Sequence, residues 1–147
     1  MKTMSDTPER MPDNATDLPL VTFALFAYSR EKYIRDAVEG AFSQSYEPLE
    51  IILSDDFSSD QTFEIMQEMA AAYVGPHEVH LRCNEVNVGL AAHVNVVVAN
   101  SCGEIILLAA GDDVSLPDRA SISVDLLQRN ADATAVLLSA DVIDQSG

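Results

Sequence analysis

Cysteine is scarce: Cys83 and Cys102 are the only two in 147 residues and lie far apart, with no C-x-x-C spacing. That excludes a disulfide framework and a cysteine-built zinc site, and predicts two buried thiols in a reducing compartment. Basic side chains are scarce as well, eight against 24 acidic ones for a net charge of −16. Such a surface repels phosphate backbones, so nucleic acid is excluded as a partner. Apolar runs such as Ile105 to Ala110 fall short of the roughly 18 to 20 residues of a membrane-spanning helix, so no span is expected. Met1 to Leu18 lacks the apolar stretch of a secretory signal and reads as a flexible lead-in, leaving residues 19–147 as one domain. The expectation is a cytoplasmic protein, with any contact to the inner membrane face left to segments outside this sequence. No P-loop, nucleophile elbow or Ser-His-Asp order is present.

Apolar residues make up 48% of the chain, enough for a packed core. Leu20 to Ala27 is a nearly continuous apolar run, the pattern of a strand covered on both faces. Ser29 then stands where it can cap a helix whose stripe is Ile34, Ala37, Val38, Ala41 and Phe42, ended by Tyr46-Glu47-Pro48. Leu49 to Ser54 reads as a second strand, and Ser58 with Gln61 as a capping box for a helix over Thr62 to Tyr73, stopped by Gly75-Pro76. Val79 to Cys83 is a third, more polar strand. After Asn87-Val88-Gly89 comes a valine-rich helix with Leu90, Val94, Val97 and Val98 on one side. Ile105 to Ala110 is a fourth strand, Ser115 to Asp118 announces a helix, and Ala135 to Val142 reads as a fifth strand. This alternation predicts an α/β fold, three-layer and Rossmann-like, with a mostly parallel sheet and helices on both faces.

Ligands of such sheets sit beyond the carboxyl ends of the strands. Three polar clusters fall there: Tyr28-Ser29, Asp55-Asp56 and Asp112-Asp113. Asp112 and Asp113 follow a glycine that lets the chain turn sharply, and carboxylates so placed suit Mg²⁺ or Mn²⁺ whose shell is completed by substrate phosphates. They equally suit a solvated loop. A carboxylate at Asp55 or Asp56 can accept from a base edge or a ribose hydroxyl, and the Tyr28 ring can stack on a base or pack at the rim. Ser58 and Asp60 read as helix caps. His93, four residues after Gly89, reads as a helix-surface histidine within possible reach of a ligand; His77 and His80 show no partner pattern.

The run PLVTFALFAYSREKYIRDAVEGAFSQSYEPLEIILSDDFSSDQT, Pro19 to Thr62, resembles the opening of family 2 glycosyltransferases, which share the GT-A fold. NVGLAAHVN, Asn87 to Asn95, and LLAAGDDVSLPDR, Leu107 to Arg119, resemble its next two segments in order. The similarity runs from Pro19 to about Asp144. The resemblance implies an inverting transferase that takes a sugar from a nucleotide-diphosphate sugar with Mg²⁺ or Mn²⁺. Ala27 and Tyr28 match the segment that contacts the base, Asp55 the acidic residue that reads the nucleotide, and Asp56 its neighbour in the motif. Asp112 matches the metal-binding end of the D-x-D motif, within reach of the nucleotide, with Asp113 beside it as a second metal ligand.

Three positions depart from the family pattern: Ala110 replaces the first Asp of D-x-D, Ser29 an Asn, and Val94 an Arg. In the family the general base and the acceptor site come from a second half, beyond the position of Gly147. The expectation is therefore a donor-binding portion, inactive alone, whose acceptor is an unknown glycan, lipid or protein. A non-catalytic nucleotide-binding or scaffold module is the alternative. A phosphorylated receiver domain fits poorly, because the third strand ends in Cys83-Asn84 where a phosphoacceptor Asp is needed.

Overall fold

A computed structural model describes residues 18–143. The expected lead-in lies, but for Leu18, outside the described residues. Four parallel strands, β1 (Val21–Ala27), β2 (Leu49–Asp55), β3 (Glu78–Cys83) and β4 (Ile105–Ala110), form one sheet in the order β3-β2-β1-β4. Between and after them run α1 (Ile34–Phe42), α2 (Thr62–Ala72), α3 (Leu90–Ala99) and α4 (Arg119–Arg129). The α/β reading from sequence is the fold observed.

The two faces of β1 show how the layers form. Phe23 and Leu25 face the larger core, where Ile34, Val38 and Ala41 of α1, Met66 of α2 and Val124 of α4 close over them. Ala24 and Phe26 point the other way, onto Val97 of α3. Every residue of β1 is buried, which is why its sequence is apolar throughout rather than alternating. One helix cannot cover a four-stranded sheet. On the α3 side Leu108 of β4 is left 49% exposed, and a cleft opens there at the carboxyl ends of β1 and β4.

Several local expectations are corrected. Residues 135–143 are described but form no strand, and Leu137 and Val142 are almost wholly exposed. Apolar alternation specifies a strand only where the backbone finds a ladder to join, and this segment pairs with none among the described residues. Ser29 does not cap α1, which begins after Tyr33; Ser29 adopts left-handed φ of 54° and its N–H donates to Ser58 Oγ. Ser58 is thereby taken from the capping box. Asp60 does act at the start of α2, where its Oδ1 accepts from the Thr62 N–H and hydroxyl. Both cysteines are exposed rather than buried. The stripe of α3 is His93 and Val97, one helical turn apart, while Leu90 and Val98 face outward.

Candidate functional site

The carboxyl end of β1 organises the cleft. Ala27 O accepts from the Asp56 N–H at 2.9 Å, and Phe26 O accepts from the Gly111 N–H at 2.7 Å. The chain leaving β4 therefore lies against β1, so close that a Cβ on Gly111 would stand 3.1 Å from both Ala27 Cβ and Phe26 O. This approach explains the glycine before Asp112-Asp113. The cleft so formed has a volume of about 620 Å³ and brings together Ala27, Tyr28, Asp56, His93, Asp112 and Asp113. A second cavity of about 650 Å³ lies at the opposite end of the sheet, among Pro48, Glu50, Pro76 and His80. There Glu50 is engaged in structure, accepting from the Thr22 hydroxyl and from the N–H groups of Cys102 and Gly103. The cleft at the strand ends is the candidate site, since ligands of open parallel sheets bind there.

Of the six expected positions, Asp55 alone stays out of the cleft wall. Its side chain is fully buried and turned toward the start of α2, accepting from the Ser58 N–H and hydroxyl and from Cys83 Sγ. Partial desolvation of this exposed residue, together with the Asp55 hydrogen bond and charge, pushes the Cys83 thiol up. Asp56 lines the cleft instead. Its Oδ1 accepts from Asn84 Nδ2 at 2.7 Å and the Val88 N–H at 2.9 Å, and its Oδ2 accepts from the Gly89 N–H at 2.9 Å. Burial favours the protonated acid, but these three donors outweigh it and hold Asp56 below the usual carboxylate range. Asp56 thus stays ionised while it ties the 87–89 turn to β2.

At the other rim, Asp112 and Asp113 are exposed. Asp112 Oδ2 accepts from Arg30 Nε at 2.9 Å, and the same guanidinium donates through Nη1 to the carbonyls of Tyr28 and Ser29. Tyr28 itself is half-exposed over the cleft. Among the described residues no cluster of three or more His, Cys, Asp or Glu is arranged to hold a metal.

Sequence reasoning missed two participants. One is Arg30, which nothing in the local pattern ties to a residue 82 positions away. The other is a buried polar line beneath the cleft: Arg82 Nη1 donates to Ser54 Oγ at 2.6 Å, and Ser54 Oγ lies 2.6 Å from His93 Nε2. Arg82 also donates through Nη2 to Asn84 Oδ1, which links this line to Asp56. Burial pulls the His93 pKa down, Arg82 adding to the effect and the charges of Asp55 and Asp56 opposing it. The available signal was the i, i+4 relation of His93 to Val97.

The sequence model of glycosyl transferase family 2 matches residues 22–145. The Bacillus subtilis (strain 168) protein EpsE is 33% identical over 129 residues, covering 88% of this chain and 46% of that protein. The Escherichia coli chondroitin synthase is 29% identical over 130 residues, covering 88% of this chain and 18% of its own length. In structure, the Pyrobaculum calidifontis mannosyltransferase PcManGT, solved with GDP-Man and Mn²⁺, superposes at a TM-score of 0.69 with 22% identity over 76% of this chain and 33% of that one. Staphylococcus aureus TarS 1–349 with UDP-GlcNAc gives 0.66 and 21%, over 76% and 32%. These two likenesses show the fold. The chain thus spans less than half the length of these relatives, and on the family match over residues 22–145 it belongs to glycosyl transferase family 2.

Proposed function

We propose that this chain forms the donor site of a glycosyltransferase, binding a nucleotide-diphosphate sugar in the cleft at the strand ends. The observation that carries the reading is the convergence of Tyr28, Asp56 and Asp112, from the ends of β1, β2 and β4, on one cleft of about 620 Å³. Asp56 follows β2 and Asp112 follows β4, with β1 between them. Two strand spacings put the two ends about 10 Å apart, room for a nucleoside at one end and a diphosphate at the other. Tyr28 offers a half-exposed ring to the base. Asp56, rather than the inward-turned Asp55, presents the carboxylate that faces the nucleoside.

The diphosphate end fits a shared cation. Asp112 is 41% exposed, with Asp113 next to it. Two carboxylates without a protein cage suit Mg²⁺ or Mn²⁺, which take the rest of their shell from phosphates and water. Asp112 and Asp113 would hold such an ion, which would supply positive charge against the diphosphate as it leaves in an inverting displacement. Asp112 must then release Arg30, whose guanidinium is free to meet a phosphate oxygen. The reading assigns donor binding to this chain; the acceptor, and the base that takes its proton, are assigned to no residue of it.

Calorimetric titration of UDP, GDP and dTDP, with and without Mn²⁺, tests it. Manganese-dependent binding that is lost in Asp112→Ala supports the reading. Binding unaffected by both metal and substitution would move the diphosphate away from Asp112.

A further inference from the structure

The buried line beneath the cleft fixes the chemistry of one residue that has no assigned role. His93 is 2% exposed, yet it lines the cleft beside Phe26, Asp56 and Gly89. Its ring is held edge-on to Phe26 at 5.2 Å between centroids. Arginine only donates, so Ser54 Oγ must accept from Arg82, and the serine's own proton is left to be given away. The partner in reach is His93 Nε2 at 2.6 Å; among the described residues Ser54 Oγ has no other acceptor. A bare Nε2 is the arrangement that gives every proton of this line an acceptor, and in a neutral ring it puts the proton on Nδ1. The depression of the His93 pKa by burial agrees with a neutral ring.

Nδ1 makes no hydrogen bond among the described residues, and the one buried side-chain polar atom there without a partner is His77 Nδ1. His93 Nδ1 thus touches open space, and the open space against this residue is the cleft. A donor N–H placed by a hydrogen-bonded line and left without an acceptor calls for one from a ligand. His93 stands with Asp56 at the end away from Asp112 and Arg30, so the ligand group there is the nucleoside.

We propose that His93 is a specificity-determining donor of the nucleoside pocket: its Nδ1–H, set by Ser54 and Arg82, meets a keto oxygen of the base. Uracil and guanine carry a keto oxygen where cytosine and adenine carry an amino group, whose hydrogens would oppose this donor. The inference rests on the donor-site reading and goes beyond it by naming the discriminating residue and the edge it reads. Arg82 and Ser54 act through His93 as positioning residues.

The test pairs binding with a direct view of the ring in the 147-residue chain. Affinities of UDP against CDP and of GDP against ADP are measured with Mn²⁺ in the wild type and in His93→Phe. Imidazole ¹⁵N spectra are recorded with and without nucleotide in the wild type and in Ser54→Ala. The keto nucleotide of the better-bound pair is expected to be favoured about tenfold, the loss of one well-placed hydrogen bond. That ratio is expected to fall to about threefold or less in His93→Phe. The wild-type ring is expected in its Nδ1–H form with that resonance moved by nucleotide, and Ser54→Ala is expected to release the Nε2–H form. An Nε2–H ring in the wild type, an Nδ1–H resonance unmoved by a nucleotide that binds, or an unchanged ratio in His93→Phe overturns the inference and leaves the donor site standing. Binding of no nucleotide overturns both. Should His93→Phe fail to fold, the wild-type spectra decide.

Discussion

Arg30 Nε lies 2.9 Å from Asp112 Oδ2, joining the turn after β1 to the turn after β4. Both side chains are more than 40% exposed. An ion pair so exposed is worth about 0–1 kcal/mol, little enough for a cation or a phosphate to displace it. The pair engages the carboxylate proposed above to hold a cation, two residues after Ala110.

Arg30→Ala is therefore expected to tighten Mn²⁺ binding in the absence of nucleotide by up to about fivefold, the equivalent of about 1 kcal/mol. Titration followed by the electron paramagnetic resonance of free Mn²⁺ reads it directly. With UDP or GDP present the sign should reverse, because the variant has lost a cation for the diphosphate. Weaker Mn²⁺ binding without nucleotide would show that Arg30 orients Asp112 rather than competing for it.

Asp56 is the joint between β2 and the turn before α3, accepting from Asn84, Val88 and Gly89. Asp56→Ala leaves two part-buried N–H groups and the Asn84 amide without their acceptor. Hydrogen bonds to a charged group contribute about 1.5–3 kcal/mol, and reorganisation recovers part of the loss. A destabilisation of about 2–4 kcal/mol is expected by urea unfolding, and the same three donors lost to water without any change in midpoint would contradict the structural role given to this carboxylate.

The central strand β1 was legible because burial on both faces leaves an unambiguous mark, Val21–Ala27 being apolar nearly end to end; Ile105–Ala110 carries the same apolar run at the edge of the sheet, where Leu108 stays half-exposed. The cleft was legible in position, since the polar clusters after β1, β2 and β4 leave the same end of one parallel sheet. Which of two adjacent aspartates faces the cleft was not. Consecutive residues at a strand end point oppositely, and the choice between Asp55 and Asp56 depends on the path of the next loop, here set by Asp56 holding Val88 and Gly89. His93 was misread for a related reason. Helical periodicity gives a stripe, but four valines and a leucine in ten residues offer several, and only packing against Ala24, Phe26 and Ile52 selects the one containing His93 and Val97. The 135–143 segment shows the complementary limit, an apolar pattern without an edge to join.

Acid should destabilise the fold in two stages. His93 has its pKa lowered in the folded state, so the unfolded chain binds its proton first. Its contribution is complete above the unfolded value of about 6.5 and is lost as pH falls below it. Asp56 and Asp60 are also lowered; their contribution is present above about pH 4 and is lost as pH falls through their folded values. Relief of the net charge of −16 works in the opposite direction across the same range. The difference between wild type and His93→Phe therefore isolates the first stage: the wild type should lose melting temperature between about pH 6.5 and 5 relative to the variant. Parallel curves would mean that His93 is not held neutral.

Gly40, on the buried side of α1, shows how the core positions the acidic turn. A Cβ there would stand 2.8 Å from Ser115 N and 2.9 Å from Ser115 O, both backbone atoms. One turn later Gln44 clamps the same stretch, donating to Leu116 O at 2.8 Å and accepting from the Ala120 N–H at 3.0 Å. The 115–120 segment cannot move aside without breaking these bonds, and Asp113 lies only two residues before it. Gly40→Ala is expected to cost about 1–3 kcal/mol by overpacking, partly offset by the better helix propensity of alanine. It should also weaken Mn²⁺-dependent nucleotide binding, because the displaced segment carries Asp112 and Asp113 with it. Melting temperature and calorimetric affinity measured on the same sample separate the two effects. A variant less stable but unchanged in affinity would show that Gly111, packed on Ala27 and Phe26, fixes the acidic turn independently of the segment that follows.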